Sequence, residues 1–312
     1  MAQAAVVALV LALVSGCGIP LEHINDLRLA QKTGKAVRAE YPRLTKDVPY
    51  VDNAADLQKL DIYRPDTEGL APVLVFVHGG YWQYGHRSEY AALGKTFTDE
   101  GFVTVLPDYR LYPDVHHPDW ITDTVAALNW VMKNIDQYGG DPARIVVAGH
   151  SAGSQILALI ATDDEFRDQL EFPIERLAGI ALLSGPFDYD AGAKRDIKAV
   201  HKIMGSDELY ESTQPEKYIR PDLPPTLILN GGEDNLTPET QARAYAEKLL
   251  AAGAPVRYEV LPGGDHYTMV LDMLPGRNGP SMILFRQFLR EKTMRTTTSP
   301  GIRRVSPFAT RG

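Results

Sequence analysis

The stretch Gly149-His150-Ser151-Ala152-Gly153 places one serine among small residues, directly after the apolar run Ile145 to Ala148 and ahead of a helix-prone segment. A strand, a sharp turn and a helix arranged in this way push a serine hydroxyl out into the open, where it can act as a nucleophile. A hydroxyl is a poor nucleophile at neutral pH and needs a base to take its proton. Histidine is the usual base. Where a nucleophile of this kind recurs, the chain order is serine, acid, histidine. Only His201 and His266 follow Ser151. His266 stands in Gly263-Gly264-Asp265-His266-Tyr267, after the last strand-like run, whereas His201 lies in the irregular stretch between Gly185 and Pro225 and reads as a surface or lid residue. The acid that orients the imidazole belongs at a neighbouring strand end. Asp234, after the run Thr226 to Leu229, is the first candidate, and Asp188, after Ile180 to Leu183, is held in reserve.

Acyl transfer also needs donors for the negative oxygen that forms when a carbonyl is attacked. The backbone N–H of Ala152 is one. Val73 to Val77 runs into His78-Gly79-Gly80, and two consecutive glycines leave main chain open to close approach. Gly79 and Gly80 are therefore expected to complete an oxyanion hole with Ala152, and Tyr81 and Trp82 to line the substrate pocket.

These residues require a scaffold that brings distant strand ends together. From residue 57 onward, strand-length apolar runs alternate with helical patterns. Strands are expected at Leu57 to Tyr63, Val73 to Val77, Phe102 to Leu106, Ile145 to Ala148, Ile180 to Leu183, Thr226 to Leu229 and Val256 to Leu261. Helices are expected at Trp120 to Asn134, Ser154 to Ala161, Pro238 to Ala252 and Ser281 to Glu291. The alternation predicts an α/β fold with a mostly parallel central sheet covered on both faces, whose ligands sit beyond the carboxyl ends of the strands. Residues 186–224 read as a small cap, with Tyr189, Met204, Tyr210 and Tyr218 as candidate lining residues.

With 312 residues, 44% hydrophobic and 23% charged, the chain has the composition of a globular domain. A net charge of -8 gives no basic footprint for nucleic acid, so that class of partner is set aside. His116 and His117 lie near Asp114 and Asp119, but at no usual metal-ligand spacing, and neither a metal nor an organic cofactor is called for.

The first residues carry a separate message. Ala4 to Val14 is an apolar run of signal-peptide length, followed by Leu13-Val14-Ser15-Gly16-Cys17 at its end. Cys17 is the sole cysteine. The pattern resembles a bacterial lipobox and implies cleavage before Cys17, lipid on its thiol and anchorage in the cell envelope, at the outer membrane of a two-membrane host. The expected organisation is a signal over 1–17, a tether with a possible capping helix over 18–47, a catalytic domain over 48–291 and a disordered basic tail over 292–312.

Seven blocks in order resemble the α/β-hydrolase fold in its HGG-bearing branch, which holds hormone-sensitive-lipase-like, kynurenine formamidase-like and prenylcysteine methylesterase-like proteins. They are LDIYRP from Leu60, VHGGYW from Val77, DYRLYP from Asp108, YGGDPARI from Tyr138, GHSAG from Gly149, GGEDNLTP from Gly231 and GGDH from Gly263. The resemblance covers residues 48–291. It implies a Ser151, Asp234, His266 triad and hydrolysis of a carboxylic ester through an acyl-enzyme; the shortness of the cap over 186–224 points to short acyl groups or small soluble esters. A kynurenine formamidase-like amidase is the alternative, and a catalytically inactive binding lipoprotein is a further one. The expected partner is a small ester substrate, with the membrane reached through Cys17.

Overall fold

The computed structural model describes residues 21–189 and 194–294. Cys17, the apolar run before it and the chain beyond residue 294 lie outside the described residues. Eight strands form one sheet: β1 Leu44–Pro49, β2 Lys59–Tyr63, β3 Ala71–Val77, β4 Val103–Pro107, β5 Gly140–His150, β6 Gly179–Leu183, β7 Thr226–Gly231 and β8 Val256–Leu261. Their spatial order is β1-β2-β4-β3-β5-β6-β7-β8. β1 and β2 are antiparallel to their neighbours, and from β4 to β8 every pairing is parallel. This is the mostly parallel sheet that the alternation of elements implied.

Side chains along each strand divide between two cores because successive residues of a strand face opposite ways. Val73, Val75 and Val77 of β3 join Ile145 and Val147 of β5 in one core. Leu74 and Phe76, with Val146 and Ala148, join the other. The first core is covered by helices α3 Asp119–Asn134, α4 Ala152–Thr162 and α8 Glu239–Ala251. The second is covered by α2 Ala91–Asp99 and α10 Pro280–Thr293, with Val37 of α1 Leu21–Glu40 at its edge. Because α4 is buried along all of its length, it carries no polar face and reads as AGSQILALIAT.

Two elements differ from the sequence expectation. The stretch 18–47 holds the helix allowed for there, α1, but β1 already belongs to the sheet, which therefore starts before residue 48. The helix α2 was not foreseen, since AALGKTFTD has too few large apolar residues to show a period, and it closes tightly on the sheet instead. Between β6 and β7 the cap is built from α6 Lys194–Met204, α7 Asp207–Ser212 and a single 3-10 turn, Pro215–Lys217. A four-residue helix, α5 Asp164–Arg167, follows α4, and another, α9 Thr268–Leu271, follows the His266 loop.

Candidate active site

The turn from β5 into α4 carries Ser151 with φ 55°, a left-handed conformation that costs an ordinary residue free energy and is held by its surroundings. Gly153 permits it. A Cβ on Gly153 would meet the Val77 carbonyl at 2.3 Å, so the turn can lie against β3 only with glycine there. Ser151 N–H donates to Leu183 O at 2.9 Å, which ties the turn to β6 as well.

Ser151, His266 and Asp234, separated by up to 115 residues, form one hydrogen-bonded chain. His266 Nε2 lies 3.0 Å from Ser151 Oγ, and His266 Nδ1 lies 2.9 Å from Asp234 Oδ2. All three are nearly buried, at 8%, 6% and 4% exposure, so charge that develops there is poorly screened by water. Asp188, the reserve acid, is not the partner of His266. The loops that carry Asp234 and His266 are joined by main-chain bonds, Gly232 N–H to Leu261 O and Glu233 N–H to Gly264 O, both 2.9 Å. Their relative position is thus inherited from the β7/β8 pairing.

Burial opposes ionisation of Asp234, but the His266 charge, the bond to His266 and the bonds from Thr237 outweigh it and hold the carboxyl down at about 2. Oδ1 accepts the N–H groups of Leu236 and Thr237 at 2.9 and 2.8 Å, while Oδ2 accepts Thr237 Oγ1 at 2.8 Å. The carboxylate is therefore fully engaged and remains anionic throughout the neutral range.

Gly79 and Gly80 lie at the end of β3, beside the serine. Gly80 has φ +126°, and a Cβ on it would meet Tyr84 O at 2.1 Å, so its lack of a side chain also serves the chain's own packing. Tyr81 and Trp82 follow with φ 55° each, two consecutive left-handed residues. Trp82 is held there by its Nε1–H, which donates to Gln155 Oε1 at 3.1 Å, and by its carbonyl, which accepts Tyr112 N–H at 2.8 Å. His78, beneath this loop, is buried and stacked on Tyr109, with ring centroids 4.4 Å apart.

Two cavities meet at Ser151 and His266. One, of about 210 Å³, borders Gly79, Gly80 and Tyr81. The other, of about 40 Å³, borders Tyr81, Trp82 and Ala152. Tyr81 borders both cavities and Trp82 the smaller one. Of the four cap residues singled out in the sequence, only Tyr189 lines either cavity; Met204 and Tyr210 are buried in the core and Tyr218 packs against it. His201 sits in the cap and faces Asp207 and Tyr210.

Sequence reasoning missed His150. Its Nε2 lies 2.9 Å from the carbonyl of His266, and since a carbonyl only accepts, the proton must be on that nitrogen. Burial, reinforced by the field of His266, pushes the His150 imidazole down to about 3, against the bond to the His266 carbonyl and the Asp234 charge. The neutral ring therefore pins the histidine loop. A depressed value means that protons bind the unfolded chain more readily below its value of 6.5. The stabilisation is complete above pH 6.5 and is lost as pH falls toward 3. Between pH 7 and pH 5 the urea-unfolding free energy is expected to drop by about 2 kcal/mol from this group alone. His150→Gln, which keeps a donor but does not titrate, is expected to flatten that slope; an unchanged slope would show that His150 is not its source.

Comparison with known proteins places this geometry in a family. The BD-FAE family model matches residues 60–249, which include Ser151 and Asp234. Esterase LipC of Mycobacterium tuberculosis is 31% identical over 267 residues, 78% of this chain and 64% of LipC. Isoprenylcysteine alpha-carbonyl methylesterase ICME of Arabidopsis thaliana is 28% identical over 234 residues, 68% of this chain and 54% of the relative. The chain thus spans about three fifths of the length of these curated relatives. A solved structure described as a truncated form of carbohydrate esterase from gut microbiota shares the fold, with a TM-score of 0.70 at 19% identity over 81% of this chain and 97% of that one. The chain has the α/β-hydrolase fold and belongs to the BD-FAE family.

Proposed function

We propose that the protein is a serine carboxylesterase. The single observation that carries this reading is the continuous hydrogen-bonded chain from Ser151 Oγ through His266 to Asp234. Ser151 Oγ attacks the ester carbonyl as its proton passes to His266 Nε2, and Asp234 stabilises the imidazolium without taking a proton. The carbonyl oxygen gains the negative charge, which the N–H groups of Gly79, Gly80 and Ala152 receive. The C–O bond to the alcohol then breaks, and the leaving alkoxide takes the proton from His266. Water, deprotonated by the same nitrogen, attacks the acyl-enzyme, and Ser151 recovers its proton when the second tetrahedral species collapses. The names of the relatives, all esterases, favour ester over formamide as the bond cleaved.

The test treats the full chain with a fluorophosphonate probe and compares initial rates on p-nitrophenyl butyrate and N-formylkynurenine. Stoichiometric labelling at Ser151, with ester turnover at least about tenfold above that of the formamide, is expected. Faster formamide turnover would favour the amidase reading. Absence of labelling in the folded protein would favour an inactive binding protein.

Anchorage through Cys17 is part of the proposal and rests on the sequence alone, on the apolar run Ala4 to Val14 and the Leu13-Val14-Ser15-Gly16-Cys17 that ends it. Lipid on the Cys17 thiol would hold the enzyme at the cell envelope, the outer membrane in a two-membrane host. Incorporation of labelled palmitate that is lost in Cys17→Ser is the expected result, and retention of label in that variant would refute it.

A further inference from the structure

The two cavities that meet at Ser151 and His266 differ about fivefold in volume, about 210 against about 40 Å³. An apolar cavity of about 150 Å³ holds a benzene ring, so by proportion the larger holds roughly eight carbon atoms and the smaller one or two. The walls of the large cavity are mainly apolar. Leu27 and Ala30 of α1 line it, together with Val270 and Leu271 of α9 and Leu274 beyond that helix. Trp82, Tyr189 and Val200 are among the residues that line the small cavity.

The origin of these walls is informative. α1 precedes the stretch that matches the family, and Val270, Leu271 and Leu274 follow it. The catalytic serine and acid thus lie within the stretch that matches the family, whereas much of the large chamber comes from the segments that flank it. α1 is also firmly held. His23 pairs with Asp265, next to His266, at 2.7 Å; Asp26 pairs with Arg277 at 2.5 Å; and Arg38 at the far end pairs with the buried Asp61 at 2.8 Å. A wall tethered at both ends sets the size of what fits beneath it.

We propose that the substrate is an ester of two unequal halves, an apolar group of about eight carbons seated beneath α1 and a second group of one or two carbons in the small chamber, with Leu27 and Ala30 as residues that determine specificity. The inference rests on the esterase reading above. Burying successive methylenes in an apolar chamber strengthens binding until the chamber is full, and a further carbon then meets the wall.

Two series of esters, methyl alkanoates and alkyl acetates with chains of two to twelve carbons, test this by pH-stat assay of the full chain. In one series kcat/KM is expected to rise at least about tenfold from two carbons to about eight and then to fall, while octyl octanoate is turned over slowly. The series that shows the rise identifies whether the acyl or the alcohol half lies under α1. Leu27→Trp is expected to lower the eight-carbon to two-carbon ratio about tenfold, and Leu27→Ala to move the optimum to longer chains. Because the ratio is read within each variant, a loss of folded protein does not mimic the effect. Profiles that are flat or falling in both series, or ratios unmoved in both variants, overturn the inference and leave the esterase reading standing. Failure to hydrolyse any ester, p-nitrophenyl acetate included, overturns the esterase reading itself.

Discussion

Ser151→Ala is expected to cut kcat for p-nitrophenyl butyrate by about 10⁴-fold or more while leaving the far-ultraviolet circular dichroism and the unfolding midpoint near those of the parent. Asp234→Asn is expected to cost about the same, for a reason legible in the hydrogen bonds. Oδ1 of Asp234 accepts two backbone N–H groups, so the amide oxygen of an asparagine would stay there and its NH₂ would take the place of Oδ2. That NH₂ would face His266 Nδ1, now 2.9 Å from the carboxylate, and force this nitrogen to accept. The imidazole proton would move to Nε2, the atom that must receive the serine proton. A variant that folds normally yet retains more than about a tenth of the parent rate would remove Asp234 from the mechanism.

The second large effect concerns stability. Arg87 is only 2% exposed and stands among three carboxylates, with Nε 3.2 Å from Asp61 Oδ1 and with ion pairs to Asp108 and Asp47. Asp61 and Asp108 have no exposed surface. Burial works to lower the Arg87 value, but Asp108, Asp47 and Asp61 together raise it above that of an ordinary arginine. Arg87→Met would leave the buried Asp108 without its main cation and the buried Asp61 with Arg38 alone, and removal of one partner from a buried pair costs about 3–5 kcal/mol. A fall of that size in the urea-unfolding free energy is the expected outcome. Arg87→Lys keeps the charge but not the planar fork that reaches several carboxylates at once, so it is expected to recover only part of the loss. Full stability in Arg87→Met would mean that the cluster contributes nothing net.

The contrast between these predictions shows which parts of the molecule can be read from the chain. Ser151, Asp234 and His266 each stand in a short block whose neighbours announce a strand end, a turn and a helix start, and their order along the chain removed most alternatives. The parallel sheet was legible for the same reason, since each buried strand is a local apolar run. Arg87 carries no such signal: its partners are 40 and 26 residues before it and 21 after it, and nothing in Gly85-His86-Arg87-Ser88 marks it as buried. His150 was hidden because its partner is the main chain of residue 266, which has no side-chain signature. The large cavity was least accessible of all. Leu27 and Val270 come together only through the docking of α1, a helix whose sequence, LEHINDLRLAQKTGKAVRAE, is mostly polar and gives little indication of which face is covered.

The position of α1 has a bearing on how the room at the site is set. Ser151, Asp234 and His266 stand on turns and loops just beyond β5, β7 and β8, yet the larger of the two chambers takes a wall from a single helix near one end of the described residues. Repacking the Leu27 and Ala30 face of that helix changes the room offered to a ligand, while the His23–Asp265 pair keeps the helix coupled to the loop that carries His266. The wall that α1 gives the chamber and the hydrogen-bonded chain from Ser151 to Asp234 are therefore set by different side chains, with one ion pair as the link between them.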